Sequence, residues 1–327
     1  MTPVEPVRRP IIVGFDPQTL DRSPVHFGVA AARLTGSPLI VASVCASAPI
    51  VDSLPPAYGD EELALLKEQA FAELESELNA SDVSTEYREL RGGSAARLLY
   101  EAAHHEGARL LVVGSTSRGT IGQVLPGSTA ERLMHSAPCA VAVVPHEWVN
   151  KGLGTIGAAY AQTDEGFEAL RGAYGLAERA SASLRVLSIV RERPAMYRDI
   201  EASGRYERGR SLIDVEGDRR LELEAEMRNA VARIPAVARI PGLASDVAVE
   251  IDAFVGDPAD TLIGVSENLD LLVCGSRGYG PMRAALMGGV SRRVMAEANC
   301  PVIILARGIE AQLEPLKPTL AASRRNR

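Results

Sequence analysis

The feature that most limits the possible folds of this chain is an internal repeat. Leu110–Ser115 reads Leu-Leu-Val-Val-Gly-Ser, and Leu271–Ser276 reads Leu-Leu-Val-Cys-Gly-Ser, 161 positions later. The triplet Ala137-Pro-Cys139 recurs at the same spacing as Ala298-Asn-Cys300. Such a repeat predicts two copies of one structural unit, and 327 residues suffice for two domains that each bury a core.

The spacing between the two copies changes along the chain. Ile11–Asp16 aligns with Ile156–Ala161 at a separation of 145, whereas Ala80–Val83 aligns with Ala244–Val247 at a separation of 164. The second copy therefore has 19 additional residues (164 minus 145), in the stretch 191–218, which is rich in Arg and Glu. We expect a solvated loop together with an extension of the second helix of this copy; the alternative is an arm that binds a protein partner.

In each copy, short runs of β-branched residues alternate with longer stretches of helical periodicity, which is typical of βαβ units. Five strands with right-handed crossovers predict an open, doubly wound α/β sheet, Rossmann-like, with ligands at the carboxyl ends of the parallel strands. The fold class is therefore two tandem five-stranded parallel-sheet domains. The predicted strands of copy one cover 10–15, 39–44, 83–90, 109–113 and 140–144, and its helices cover 23–36, 61–78, 94–104 and 129–135.

The predicted domains cover residues 1–147 and 148–310, and 311–327 is expected to be a disordered tail. The linker is Pro145–Gly154. The string Gly152-Leu-Gly154-Thr-Ile-Gly157 matches a dinucleotide-binding fingerprint, but it enters a strand instead of following one. We therefore assign it to the linker.

Composition argues against several classes of function. The formal net charge of −7 disfavours general binding to nucleic acid or to an anionic membrane. No apolar run reaches the roughly 18 to 20 residues that a spanning helix needs, and residues 1–10 have no apolar signal core. Cys45, Cys139, Cys274 and Cys300 lack the spacing of a zinc site, so we expect buried, reduced thiols in a cytoplasmic protein without a metal site.

A long glycine-bearing loop follows the fourth predicted strand of each copy and leads into a helix. The first glycine permits a turn without a Cβ beside a ligand, and the later pair places free backbone N–H groups at a helix N-terminus, where an anion is favoured. The alternative is that these glycines serve ordinary turns. The residues are Gly114, Ser117, Gly127, Ser128 and Thr129 in copy one, and Gly275, Gly278, Gly288 and Gly289 in copy two.

Three further features accompany these loops: an Asp that ends the first strand, the turn Gly256–Ala259 before the third helix of copy two, and the Ala137-Pro-Cys139 start of the fifth strand. Together with the loop pattern Gly-x2-Gly-x9-Gly-Ser/Thr, they resemble the universal stress protein family over nearly all of both copies. The resemblance implies a tandem member with an adenine nucleotide alpha hydrolase-like fold. In its ATP-binding branch, the first-strand Asp, an apolar residue that ends the second strand and the glycine loop hold the nucleotide.

Transferred by position, these roles fall on residues that depart from the family pattern in both copies. In copy one, Asp16 is the acid and Val44 the apolar contact, but Ser117 stands where the family has a glycine. In copy two, Ile189 is the apolar contact, but an alanine replaces the acid and Gly289 replaces the hydroxyl residue. Because loss of the acid removes a ligand contact outright, we expect copy one to be the better site.

Asp16 also has a structural interpretation, because an acid just after a strand often caps the next helix or turn. No candidate base or nucleophile lies in the loops, so we expect no enzymatic activity. The resulting hypothesis is a stress-response regulatory module that binds ATP, with or without Mg²⁺, and contacts unidentified protein partners. The alternative is a protein-interaction scaffold of the same fold that has lost nucleotide binding.

The apolar fifth strands, Ala140–Val144 and Pro301–Leu305, would be exposed sheet edges if each copy stood alone. In the family that the chain resembles, this strand pairs with its counterpart in a second domain. Fusion of the copies therefore predicts an intramolecular pseudo-dimer, and two such chains are expected to form a homodimer.

Overall fold

The computed structural model describes residues 9–16, 19, 21–45, 60–79, 81–115, 128–191, 212–237, 247–275 and 289–305. In these ranges strands and helices alternate through both copies. Copy one consists of β1 (Ile11–Phe15), α1 (Ser23–Thr35), β2 (Leu39–Cys45), α2 (Asp60–Asn79), β3 (Thr85–Arg91), α3 (Ala95–His105), β4 (Leu110–Gly114), α4 (Ser128–Ser136) and β5 (Ala140–Val144). Copy two consists of β6 (Thr155–Ala159), α5 (Asp164–Ala180), β7 (Ser183–Arg191), α6 (Leu212–Val237), β8 (Val249–Gly256), α7 (Pro258–Ser266), β9 (Leu271–Gly275), α8 (Gly289–Glu297) and β10 (Val302–Leu305).

The helix ends follow local residue chemistry. Helix α1 ends before Gly36, which adopts the left-handed conformation at φ 64°, as the sequence predicts. Helix α5 ends in the same way, but the left-handed residue is Ser181, at φ 51°. At the N-termini, the Ser94 hydroxyl accepts the Arg97 N–H of α3, and the Asp257 carboxylate accepts two first-turn N–H groups of α7.

All ten described strands form one continuous sheet in the order β3-β2-β1-β4-β5-β10-β9-β6-β7-β8. Within each copy the five strands are parallel, which confirms the predicted fold class. The copies join through β5 and β10, which pair antiparallel with Ala142 opposite Ile303. The expected intramolecular pseudo-dimer is therefore present in the structure.

Helices cover both faces of this sheet, and each face has its own hydrophobic cluster. Successive strand residues alternate between the clusters: Ile11 and Val13 face one side, and Ile12 faces the other. Helices α1 and α5 pack together on the first side, while α3 packs against α4 and α7 against α8 on the second. Both clusters contain residues of both copies, so the hydrophobic core is continuous between the two halves on each face of the sheet.

The linker is held at both ends and in its middle. The His146 N–H donates to the Ser115 hydroxyl at 3.1 Å, and the Trp148 ring meets Phe27 of α1 edge-on, with centroids 5.7 Å apart. At the other end, the N–H groups of Gly154 and Thr155 donate to one carboxylate oxygen of Asp270. The segment then enters β6, which agrees with our rejection of the dinucleotide fingerprint.

The insertion of copy two lies partly in α6. Residues 212–218 are helical, and α6 has 26 residues against 20 in α2, which confirms the predicted helix extension. The predicted loop at 192–211 and the predicted tail at 311–327 lie outside the described residues. Among the helices that the structure describes, none combines the length and the apolar character needed to cross a membrane.

Candidate functional site

The carboxyl ends of β1, β2 and β4 lie side by side at one edge of the copy-one sheet. Phe15 pairs with Ser43, so the residues that follow them, Asp16 and Val44, reach the same level. Asp16 is exposed and Val44 is half-buried, and Gly114 ends the neighbouring strand β4. The structure thus brings three of the predicted site residues to the edge where doubly wound sheets bind ligands.

A hydrogen-bonded turn connects Asp16 to α1. The Asp16 carbonyl oxygen accepts the Thr19 N–H at 3.2 Å and the Thr19 hydroxyl at 3.0 Å. The N–H of Ser23, the first residue of α1, donates to the Asp21 carboxylate at 3.0 Å. Asp21 thus makes a bond to the helix start, and Asp16 is exposed at the sheet edge.

The first loop glycine of each copy has a packing reason that the sequence did not reveal. A Cβ on Gly114 would lie 3.0 Å from Pro24 Cγ in the first turn of α1. A Cβ on Gly275 would lie 2.7 Å from the carbonyl oxygen of Glu165 in α5. In both copies the glycine therefore admits the start of a helix beside the strand end, rather than only leaving room for a ligand.

The remainder of each glycine loop is described only from the start of the following helix. Ser117, Gly127, Gly278 and Gly288 lie outside the described residues, so their predicted role stays a prediction. Helix α4 begins at Ser128 and α8 at Gly289, at the equivalent positions of the two copies. Thr129 is half-buried in the first turn of α4, and Gly289 is exposed. Both helices thus begin where the predicted anion donors were placed.

The end of the first strand is closed in copy two. Ala161, the counterpart of Asp16, is buried, and its carbonyl oxygen accepts the Thr163 N–H at 2.7 Å. The Thr163 hydroxyl then caps α5, which begins at Asp164. Under the offset of 145, the first residue of α1 corresponds to position 168, so α5 starts about one turn earlier than α1.

The apolar residue that was predicted to contact the ligand is also more exposed in copy one than in copy two. Val44 is half-buried in copy one, whereas Ile189 in copy two is only 5% exposed and belongs to the core cluster on its side of the sheet. A flat ligand can contact a half-buried side chain at an open edge, but it cannot reach a buried one without displacing its neighbours. Copy one is therefore the more accessible of the two edges.

At the copy-two edge, the positive charge of Arg293 is paired with carboxylates of the protein. The Arg293 guanidinium of α8 contacts the carboxylate of Asp260 at 2.6 Å and that of Asp257 at 3.4 Å. The hydrogen bond to Asp260 raises the pKa of Arg293. Asp164 and Glu165 add two carboxylates to the first turn of α5. A phosphate group near the first turn of α5 would therefore be repelled by the carboxylates of Asp164 and Glu165.

Sequence reasoning missed four polar residues near these edges. Ser115 is 6% exposed and holds the linker, and the Ser291 hydroxyl donates to the Gly275 carbonyl oxygen at 3.3 Å. Thr19 and Asp21 build the β1–α1 turn. The segment Asp-Pro-Gln-Thr-Leu-Asp has the composition of turns closed by side chains, and this was the signal available for the last two.

The part of the chain that the structure describes contains no preformed metal-binding site. No group of three or more His, Cys, Asp or Glu side chains there is arranged to hold a metal ion. Among the described residues, the copy-one edge presents the exposed Asp16, the half-buried Val44 and the start of α4.

Comparison with known proteins agrees with this fold and with the repeat. The family model for the universal stress protein family matches residues 8–145 and again 153–306. A universal stress protein of Mycobacterium tuberculosis is 26% identical over 313 residues, which cover 90% of this chain and 99% of the relative. One from Mycolicibacterium smegmatis is 27% identical over 312 residues, covering 90% and 96%.

Solved structures show the same architecture. A putative universal stress protein from Pseudomonas aeruginosa superposes with a TM-score of 0.60 at 18% identity and covers 91% of this chain and 93% of its own. A universal stress protein from Archaeoglobus fulgidus gives a TM-score of 0.59 at 16% identity, covering 91% and 98%. The chain belongs to the universal stress protein family, in which it is a tandem form with two family domains in one polypeptide.

Proposed function

We propose that this tandem universal stress protein is a nucleotide-binding regulatory module of the stress response, and that ATP binds to copy one. The observation that carries the proposal is the open carboxyl edge of copy one, where Asp16 is exposed beside the half-buried Val44. The corresponding edge of copy two is covered by the first turn of α5.

The residues at this edge suit the parts of a nucleotide. A carboxylate such as that of Asp16 accepts hydrogen bonds from sugar hydroxyl groups, and Val44 offers an apolar surface to a flat base. The N-terminus of α4, at Ser128 and Thr129, supplies backbone donors for phosphate. Any Mg²⁺ would be held chiefly by the phosphates, because Mg²⁺ is commonly bound through substrate phosphates and one or two carboxylates.

In this proposal the bound nucleotide regulates the contacts of the protein, and the protein does not hydrolyse it. Nucleotide occupancy at copy one changes how the protein contacts its partners or a second chain, in the cytoplasm. Copy two contributes its core and strand β10 to the fold, and we expect its degenerate loop residues Gly275, Gly278, Gly288 and Gly289 not to be required for binding. The competing function is a scaffold without nucleotide, and the closed edge of copy two is the observation that favours it for that half.

Isothermal titration of ATP with Mg²⁺ tests the proposal on the intact protein. We expect wild type to bind, and Asp16→Ala to weaken binding by about tenfold or more, because a hydrogen bond to a charged group contributes about 1.5 to 3 kcal/mol. The matched control is Asp164→Ala, which removes an exposed carboxylate at the copy-two edge. It is expected to leave the ATP affinity unchanged.

Two results would contradict this assignment. Absence of both binding heat and thermal stabilisation at millimolar ATP would leave the scaffold as the working function, since a ligand that binds only the folded state must stabilise it. Equal losses in Asp16→Ala and Asp164→Ala would move the site away from copy one.

A further inference from the structure

The turn between β1 and α1 contains a chain of hydrogen bonds centred on one hydroxyl group. Thr19 Oγ1 donates to the Asp16 carbonyl oxygen at 3.0 Å and accepts the Asp21 N–H at 3.4 Å. The Thr19 N–H donates to the same Asp16 carbonyl at 3.2 Å. Asp21 in turn accepts the N–H of Ser23 at 3.0 Å. The backbone of Asp16 is thereby tied to the first residue of α1.

Two hydrogen bonds from Thr19 restrain the backbone of Asp16. The bond from the Thr19 N–H to the Asp16 carbonyl oxygen joins residues three apart, as in a β-turn. Asp16 and Thr19 are both exposed, so water competes for a single backbone bond. The second bond, from the hydroxyl, restrains the turn further and fixes the backbone from which the Asp16 side chain projects.

The same device is absent from the equivalent turn of copy two. Under the offset of 145, Thr19 corresponds to Asp164, which already lies in the first turn of α5. There the Ala161 carbonyl accepts the N–H of Thr163, and the helix begins at once. The hydroxyl-closed turn therefore occurs in the copy that carries the acid.

We infer that Thr19 is a positioning residue for Asp16: its hydroxyl holds the turn so that the Asp16 carboxylate meets the nucleotide in a fixed orientation. This inference rests on the proposed function, because Asp16 is the ligand contact there. Thr19 itself acts through Asp16 and through the start of α1.

The test uses two variants of the intact protein. Thr19→Val keeps the shape of the side chain and removes the hydroxyl, whereas Thr19→Ser keeps the hydroxyl. We expect Thr19→Val to weaken the affinity for ATP with Mg²⁺ about fivefold, as the loss of one hydrogen bond predicts, and Thr19→Ser to stay within about twofold of wild type. In the protein without nucleotide, amide hydrogen exchange in 16–23 should be faster in Thr19→Val and normal in Thr19→Ser.

The outcomes separate this inference from the function on which it rests. If wild type binds ATP and Thr19→Val binds it equally well, the positioning role is wrong while the proposed site stands. If exchange in 16–23 is the same in wild type and Thr19→Val, the hydroxyl does not hold the turn, and the inference is overturned without reference to any ligand. If wild type binds no ATP, both proposals fail.

Discussion

Asp16 and Ala161 occupy the same position of the repeat, but they differ in exposure to solvent. Asp16 is exposed at an open edge, whereas Ala161 is buried under the start of α5. The exchange of acid for alanine was visible in the sequence, but the additional helical turn was not inferred from it. The signal was present in Thr163-Asp-Glu, a capping residue followed by two acids, which is typical of a helix N-terminus.

The three described cysteine side chains predict slow thiol chemistry in the folded protein. Cys139, Cys274 and Cys300 are free and buried. Burial raises the pKa of Cys139 and of Cys274 to about 12 and also raises that of Cys300. Since the thiolate is the reactive form and these groups stay protonated at pH 8, we expect alkylation by iodoacetamide to be at least about 100-fold slower than in urea.

Peptide mass spectrometry after timed alkylation measures each of these rates separately. Native modification of any one of the three at the rate of the unfolded chain would show that its surroundings open readily. The prediction applies at pH values well below the raised pKa values, and the protection should decrease as the pH approaches them.

At the scale of single elements, most boundaries followed from the periodicity and the turn residues. The predicted β5 coincides with Ala140–Val144, while β3 begins at Thr85, two residues later than expected. Val83, the first residue of the predicted strand, packs against the core but precedes the observed strand. The pattern identifies which residues are buried, whereas the hydrogen-bond ladder decides where a strand begins.

The C-terminal ends of α1 and α5 form a natural pair for a stability test. Gly36 and Ser181 both have positive φ, at 64° and 51°, and 4 Å around a Cβ on Gly36 is empty. Left-handed backbone is strained in residues other than glycine. We expect Ser181→Gly to stabilise the protein by about 0.5 to 1 kcal/mol and Gly36→Ala to destabilise it by about 1 kcal/mol.

Urea denaturation with an unchanged slope measures both effects. Opposite signs for the two variants are the essential result, because Ser181→Gly removes a Cβ from the left-handed conformation and Gly36→Ala adds one to it. Destabilisation by Ser181→Gly would indicate that the serine side chain contributes more than its backbone strain costs.

At the scale of the whole molecule, the sequence predicted the pairing of the fifth strands but not how far the two copies merge. The residues of β5 are all buried, and both hydrophobic clusters extend through both copies. That continuity depends on helix contacts such as that between α1 and α5, which no pattern within one copy reveals. The loop residues of the candidate site are the part for which the prediction remains open.

We therefore expect the two halves to stay associated after proteolytic cleavage of the linker. Asn150 and Lys151 are exposed, so a protease site inserted between them is accessible. After cleavage we expect the two fragments to elute together in size-exclusion chromatography under native conditions and to separate only in denaturant. Separation of the fragments without denaturant would mean that the shared core and the β5–β10 pairing do not hold the halves together.

The antiparallel pairing of β5 with β10 also gives the molecule two different ends. Because the strands of copy two run opposite to those of copy one, the edge that carries Asp16 and the edge closed by α5 point in opposite directions. The molecule thus presents one open and one covered carboxyl edge on opposite sides of a single sheet, although both derive from the same repeat. Under the proposed function, a partner that contacts the bound nucleotide directly approaches the open side of the sheet, and the covered side faces away from it.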